Sequence, residues 1–326
     1  MPQTCVALSE ETQVGEARRA AAAVSRAAGL GAVEAGKVAI VVNELARNVV
    51  RHGGGGEILL QEVGSEGRVG VEAIALDRGA GMDIARSMRD GMSTGGSRGE
   101  GLGAVQRLSH EFDVWSAAGG TAIVSRIWSA PGPPALQIGA VCQPLAGEHE
   151  CGDAWAVSEE AGVLRVLVAD GLGHGPAAAI ASREAVRIFG ARHRDGPEAI
   201  VRAIHEGLRG TRGAAVAVAE LDTRARTVRF VGIGNVAGSL VTGEEGRGLV
   251  SHNGTAGVEA RRVQEFGFPW DPGSVLVLSS DGINTHFRLE KAQGLAARHA
   301  AVIAAVAFRD FRRKTDDATV VVVKQP

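Results

Sequence analysis

The chain has 326 residues, a formal net charge of -2 and 45% hydrophobic residues, with aromatics at 4% and no tyrosine. That length favours about two domains, and the near-neutral charge argues against non-specific binding to nucleic acid. No apolar run reaches membrane-spanning length and no signal-peptide pattern opens the chain; three cysteines, Cys5, Cys142 and Cys151, lack metal-ligand spacing and suit a reducing cytoplasm.

With so few aromatics, the cores must be built from Ala, Val, Leu and Ile. An alanine-rich pattern predicts a helix over residues 16–28. A longer helix is expected over 33–52, stopped by Gly53-Gly-Gly-Gly56, with Val38, Val41, Val42, Leu45 and Val49 as its apolar stripe. Glu44 and Asn48 lie one turn apart on it, so both project from one face. Residues 58–63 and 68–76 alternate as antiparallel strands, the second running into Asp77-Arg-Gly79-Ala-Gly81. A helix over 83–90, a glycine-rich stretch over 91–103, a helix over 104–110 and strands over 111–116 and 121–128 complete this half.

Singly, each motif has an ordinary structural explanation. A Glu and an Asn on a helix are usually solvated, Asp-x-Gly-x-Gly is usually a turn, and glycine-rich segments are usually linkers. Their order carries more information. A helix with Glu-x-x-x-Asn precedes a strand ending in Asp-x-Gly-x-Gly. A Gly-x-Gly-x-Gly loop then enters a helix, where backbone N–H groups and the helix dipole suit phosphates.

Asn43-Glu-Leu-Ala-Arg-Asn-Val-Val-Arg-His-Gly53, Asp77-Arg-Gly-Ala-Gly81 and Gly99-Glu-Gly-Leu-Gly103 resemble the N, G1 and G2 boxes of the Bergerat (GHKL) ATP-binding fold. Within it, the stretch from Asp90 to Asp113 resembles the RsbT/RsbW-type switch-protein serine kinases, RsbT above all. The resemblance implies ATP and Mg²⁺ as cofactors, Asn48 as Mg²⁺ ligand and Glu44 as base for the attacking hydroxyl. It implies that Asp77 accepts from the adenine amino group. Gly79, Gly81, Gly99, Gly101 and Gly103 would let the backbone close over the nucleotide. Phosphoryl transfer independently needs such a metal, a positioned base and donors around the phosphates.

A Pro/Gly stretch over 129–135 reads as the connection between halves. The expected domains are a GHKL domain over 1–129, a linker over 130–136 and a second domain over 137–326. In the second half, strands are expected over 137–144, 156–158 and 163–169, and helices over 177–191 and 197–208. A hairpin over 214–221 and 227–232 follows. Gly232-Ile-Gly234-Asn235 then turns into a strand over 238–242, with further strands over 274–280 and 318–323 and a helix over 289–307.

Two apolar strands here end in Asp-Gly: Asp170-Gly171 and Asp281-Gly282. Gly152-Asp153 and Asp316-Asp317 supply further acids at strand ends. One Asp-Gly is ordinarily a turn; four acidic points at strand ends suit hard divalent cations, which take oxygen ligands. His174 among its glycines is a ligand, a base or only a turn former. Cys151 beside the site reads as packing.

Gly152-Asp-Ala-Trp155, Ala169-Asp-Gly-Leu-Gly-His-Gly175, Ser280-Asp-Gly-Ile283 and Thr315-Asp-Asp-Ala-Thr319 resemble the SpoIIE/RsbX-type PP2C-like serine phosphatases. That resemblance implies two Mn²⁺ or Mg²⁺ ions held by Asp153, Asp170, the Gly171 carbonyl, Asp281 and Asp316, with Asp170 and Asp281 central to catalysis. Asp316 and Asp317 both fit the fourth position, and Asp316 is favoured. The chain departs from the larger PP2C enzymes in being short and in having no arginine beside the first acid, so the resemblance does not carry over phosphate recognition by an arginine.

The combined expectation is an α+β protein, a Bergerat (GHKL) α/β sandwich followed by a PP2C-like β-sandwich flanked by helices. It would be a cytoplasmic, bifunctional partner-switching enzyme, a protein serine kinase joined to a metal-dependent serine/threonine phosphatase. The resemblances imply STAS-domain substrates, anti-anti-sigma or stressosome proteins, and admit a sigma factor or downstream phosphatase as partner, with no nucleic acid and no membrane. Two alternatives stand beside it: the first half only binds ATP and sequesters a partner, or the second half is a metal-poor binding module.

Overall fold

Glu10 and Gln13 start the first helix earlier than the alanine run indicates. The Gln13 side chain accepts from Glu10 N at 3.0 Å, one half of a capping box. In a computed structural model, which describes residues 3–65, 67–88, 101–132 and 135–326, the chain divides into two units, residues 2–134 and 135–326.

The first unit runs β1 (Thr4–Leu8), α1 (Glu11–Ala27), α2 (Ala32–His52), β2 (Gly56–Ser65), β3 (Arg68–Asp77), α3 (Ile84–Ser87), α4 (Leu102–Leu108), β4 (Glu111–Ala117) and β5 (Gly120–Trp128). Among the described residues the strands form one antiparallel sheet in the order β1-β2-β3-β5-β4. β1 was not expected: only Val6 and Leu8 of its five residues are buried, too short an alternation to register. The expected helix over 83–90 is a single turn, α3, capped by Asp83, whose carboxylate accepts from Arg86 N at 3.1 Å. Residues 89–100 lie outside the described residues, and with them Gly99 and most of the glycine-rich stretch.

The α2 stripe is buried as its spacing requires. Val38, Val41, Val42, Leu45 and Val49 share one core with Ala17 and Ala21 of α1 and with Ile58, Leu60, Val71 and Ala73 of the sheet. Burying each Val or Leu side chain contributes roughly 1.5–3 kcal/mol, and Leu45→Ala would cost about 2–5 kcal/mol. The other face of the sheet carries a buried polar ladder. Gln61, Glu72, Arg126 and Glu111 sit directly opposite one another on β2, β3, β5 and β4. Gln61 Nε2 donates to Glu72 Oε1 at 2.6 Å, Arg126 Nε to Glu72 Oε2 at 2.6 Å, Arg126 Nη1 to Glu111 Oε2 at 3.3 Å, and Trp128 Nε1 to Glu111 Oε1 at 2.6 Å.

The second unit runs β6 (Gln137–Gln143), β7 (Asp153–Glu160), β8 (Val163–Gly171), α5 (Pro176–Ala191), α6 (Pro197–Gly207), β9 (Ala214–Asp222), β10 (Thr227–Ile233), β11 (Ala237–Thr242), β12 (Glu245–Leu249), β13 (Ser251–His252), β14 (Phe266–Pro269), β15 (Val275–Ser279), α7 (Ala300–Phe311) and β16 (Ala318–Lys324). Its strands form two sheets, β13-β10-β9-β8-β7 with β14 on β10, and β12-β11-β15-β16-β6. Leu164, Val166, Val168 and Phe230 of the first share a core with Leu276, Leu278, Val321 and Val323 of the second. On the far side of the first sheet, Leu167, Val216 and Val218 pack with Ala181, Phe189, Ile200 and Ile204 of α5 and α6. β8 is thus apolar on both faces because both are covered. On the other sheet, α7 approaches so closely that a Cβ at Gly139 would lie 2.2 Å from Ala301 N. The result is a PP2C-like sandwich, helices outside two sheets.

The expected helix over 289–307 is corrected. Leu289–Lys291 and Leu295–Ala297 are separate 3-10 turns, and α7 begins only at Ala300. Gly294 at φ +79° breaks the helical path, and His299 restarts it as N-cap, its Nδ1 accepting from Ala301 N at 3.1 Å.

Candidate functional site

In the first unit, α2 carries Glu44 and Asn48 on one face, Glu44 buried and Asn48 half-buried. Arg47 Nη1 lies 3.8 Å from Glu44 Oε1, and Arg47 also reaches Glu11 of α1 at 3.5 Å. One turn beyond Asn48, α2 ends at Gly53, where the Asp77 loop meets it. A Cβ at Gly79 would lie 3.2 Å from Gly53 Cα, and a Cβ at Gly53 would lie 2.5 Å from the Asp77 Cβ. Only glycines allow that approach, so the helix carrying Glu44 and Asn48 is joined to the strand end carrying Asp77.

Asp77 Oδ1 accepts from Gly79 N at 2.9 Å and from Thr121 N at 3.1 Å. These two amides fix the carboxylate, and no partner for its Oδ2 is present among the described residues. Gly81 sits at φ +80°, with a Cβ there only 2.5 Å from Ala117 O. Gly101 caps α4 and Gly103 is buried inside it; Gly99 lies outside the described residues.

In the second unit, β7 begins at Asp153 and β8 ends at Asp170-Gly171, and Asp153 stands directly opposite Asp170 in the register. Asp281 follows β15 and Asp316 precedes β16 on the paired strands of the other sheet. Ser280 joins the two sets: its Oγ donates to Asp153 Oδ2 at 2.7 Å and accepts from Thr319 N at 3.0 Å. Asn235 Nδ2 donates to Asp281 Oδ2 at 2.5 Å.

Burial pushes Asp170 up to about 9, with the negative charges of Asp153, Asp281, Asp316 and Asp317 adding to it. Burial raises Asp153 to about 7, against the hydrogen bond from Ser280. Asp281 is raised by burial and by Asp316, while Arg313 opposes. Such mutual raising marks acids that crowd one another's charge. Among the described residues, no group of three or more His, Cys, Asp or Glu side chains is closed into a metal-holding arrangement. Ser280 and Asn235 instead each hold one carboxylate.

Asp317 behaves differently from Asp316. Its Oδ1 accepts from Leu145 N at 2.7 Å and its Oδ2 from Gly152 N at 2.9 Å, so both oxygens serve the backbone. Asp316 is half-buried, and its Oδ1 accepts from Asp317 N at 2.9 Å. Gly171 is required by packing, since a Cβ there would lie 2.2 Å from Ala178 O. His174 pairs with Glu148 at 2.8 Å on the exposed side of its turn. Cys142 and Cys151 have sulfurs 3.7 Å apart. The Cys142 contact and burial hold the Cys151 thiol well above its ordinary value, so it stays protonated and packs rather than attacks. Ser280 and Asn235 were not singled out in the sequence as site residues. The only hint was their position beside Asp281 and after Gly232-Ile-Gly234.

Residues 160–326 match the family model described as Stage II sporulation protein E (SpoIIE), and residues 7–127 match the Histidine kinase-like ATPase domain. The chain is 38% identical over 128 residues to the serine/threonine-protein kinase RsbT of Bacillus subtilis (strain 168), covering 39% of this chain and 96% of that relative. A solved chain described as "The bacterial stressosome: a modular system that has been adapted to control secondary messenger signaling" superposes with a TM-score of 0.55 at 27% identity, covering 58% of this chain and 99% of that one. RsbX in complex with magnesium superposes with a TM-score of 0.52 at 20% identity, covering 59% of this chain and 96% of that one, a likeness of fold. With the SpoIIE match spanning the acid-bearing strand ends of β8, β15 and β16, and the ATPase match spanning Glu44, Asn48 and Asp77, the chain belongs to the SpoIIE family of PP2C-type phosphatases and carries a histidine kinase-like ATPase domain ahead of its phosphatase domain.

Proposed function

We propose that the chain is a bifunctional partner-switching regulator of the cytoplasm. An ATP-dependent protein serine kinase over residues 1–129 is joined through 130–136 to a metal-dependent protein serine/threonine phosphatase over 137–326. Both would act on STAS-domain proteins. The observation that carries the phosphatase half is the facing pair Asp153 and Asp170, linked through Ser280 to the strand that delivers Asp281.

The donor set fits a divalent metal. Every donor is oxygen, the acids raise one another by crowding, and Mg²⁺ or Mn²⁺ would relieve that charge. Asp153, Asp170, the Gly171 carbonyl, Asp281 and Asp316 would hold it. The metal would supply Lewis acidity toward the phosphoryl group and toward attacking water. Asp317 is left out, because its oxygens already bind the amides of Leu145 and Gly152.

In the kinase half, Asn48 would hold the Mg²⁺ of ATP, Asp77 Oδ2 would accept from adenine, and Glu44 would take the proton of the substrate hydroxyl. Gly79, Gly81, Gly99, Gly101 and Gly103 would line the nucleotide. The likeness to RsbT over nearly that whole relative supports this reading. A narrower alternative has its own support: Arg47 lies against Glu44. An ATP-binding module that sequesters a partner such as a sigma factor, fused to an active phosphatase, needs no base.

A purified STAS partner, ATP and Mn²⁺ test the proposal by phosphate-affinity gels over time. Glu44→Ala should leave the partner unphosphorylated, and Asp281→Asn should let its phosphorylated form accumulate. Equal phosphorylation by both variants and the unmutated chain would rule out a shared substrate.

A further inference from the structure

Phosphate recognition calls for a cation, and the segment around Asp153 has no arginine. The fold brings one from the turn before β9. Arg212 stands between two fixed neighbours. Thr211 Oγ1 donates to the Leu208 carbonyl at 2.7 Å and accepts from Gly213 N at 3.0 Å. Gly213, at φ +82°, accepts through its carbonyl from Leu172 N at 3.0 Å. That bond joins the Arg212 turn to the loop opened by Asp170.

The Arg212 side chain reaches over the same loop. Its Nη1 lies 3.3 Å from where a Cβ on Gly173 would sit, and among the described residues no other beyond the chain neighbours comes within 4 Å of that point. Gly173 also borders the first acid, because its carbonyl lies 3.4 Å from where a Cβ on Gly152 would sit, and Asp153 is next in the chain. Two hydrogen-bonded turns therefore carry an exposed guanidinium to the rim of the acid cluster. Among the described residues, no ion pair engages Arg212. Arg313 is different: it is tied by its backbone N to Gly282 O at 2.7 Å, and its charge already acts on Asp281.

We propose that Arg212 is the phosphate-binding residue of this unit. It would receive the phosphoryl oxygens of a phosphoserine or phosphothreonine side chain while the acids hold the metal. This rests on the phosphatase reading of the second unit. A guanidinium offers two parallel N–H donors to a phosphate, which an ammonium does not.

The full chain, loaded with Mn²⁺, is compared as unmutated protein, Arg212→Ala, Arg212→Lys and Arg209→Ala. Arg209→Ala removes an equal charge nearby, from an arginine paired with Glu206 at 3.0 Å. Hydrolysis of a phosphoserine peptide gives KM and kcat, and calorimetry gives affinity for inorganic phosphate. Arg212→Ala should raise KM roughly tenfold or more, as loss of one charge-assisted hydrogen bond implies, with a smaller change in kcat and a matching loss of phosphate affinity. Arg212→Lys should recover part of both, and Arg209→Ala neither change. Unaltered KM and phosphate affinity in Arg212→Ala, or an equal effect of Arg209→Ala, overturns the assignment. If the unmutated chain hydrolyses nothing, the phosphatase reading fails by itself. Arg212 is then decided by calorimetry, where equal phosphate affinity with and without the guanidinium, or none in the unmutated chain, refutes it.

Discussion

Ser280 donates to Asp153 at 2.7 Å, so the residue that precedes one acid of the second unit orients another acid from the facing sheet. Both side chains are buried. On the proposed metal reading, the serine would do for the carboxylate what a ligand's hydrogen-bonded neighbour does in metal sites, fixing which lone pairs point outward.

Ser280→Ala should therefore weaken Mn²⁺ binding by about 10–100-fold without removing any ligand. A Mn²⁺ titration followed by calorimetry reads this directly. An affinity equal to that of the unmutated chain would detach Ser280 from the metal site.

Asp170 and Asp153 set an unusual pH dependence. Their folded values, about 9 and about 7, exceed the roughly 3.9 of an unfolded Asp. Between those limits the folded chain holds protons that the unfolded chain has released, so stability of the metal-free chain falls as pH rises through that window. Metal needs both carboxylates ionised, so its binding at pH 7 should release roughly one to two protons. Calorimetry in buffers of different ionisation enthalpy counts them. A count of zero would mean that the metal does not bind at these acids.

Asp316→Asn and Asp317→Asn should fail in different ways. The first should lose hydrolysis and Mn²⁺ affinity while keeping its thermal midpoint. The second should lose about 1–3 kcal/mol of stability, because Asn keeps one acceptor oxygen and turns an NH2 donor toward the other of the two amides, Leu145 N and Gly152 N. Denaturant unfolding beside a phosphatase assay separates them, and the reverse pattern would exchange their roles.

Asn48→Ala should abolish Mg·ATP binding and leave the fold intact, since Asn48 lies on the half-buried face of α2 and outside its apolar stripe. Calorimetry with Mg·ATP and far-UV circular dichroism give the two readouts. Retained nucleotide affinity would remove Asn48 from the site.

Much of this was legible because strand ends and acids coincide in the chain. Val163 to Ala169 is uninterrupted by turn formers, so the position of Asp170 at a strand end follows from the apolar run itself. The α2 stripe was equally plain from its spacing. β12, β13 and β14 were not, because each is short and together they bury only Leu249, so burial leaves little periodic trace. Asp316 was favoured over Asp317 in the sequence, but the physical difference between them was not legible there, since it lies in amides 145 and 152, far away in the chain. Asn235 and Arg212 were invisible as site residues for the same reason: each acts across a turn whose neighbours only the sheet order determines.

The polar ladder of the first unit has a consequence for strand alignment. Gln61, Glu72, Arg126 and Glu111 occupy one row across four strands, amid residues such as Ala73, Ile74, Val124 and Ile127 that could pair with almost any apolar neighbour. A slip of one residue between β3 and β5 would turn a charge toward the core of Leu45 and Val49, at a cost of several kcal/mol for each stranded ion. A slip of two would keep the faces but part Glu72 from Arg126, leaving both buried without their partner. One alignment brings all four groups into a connected row, so the row acts as an index mark for threading an otherwise repetitive sheet.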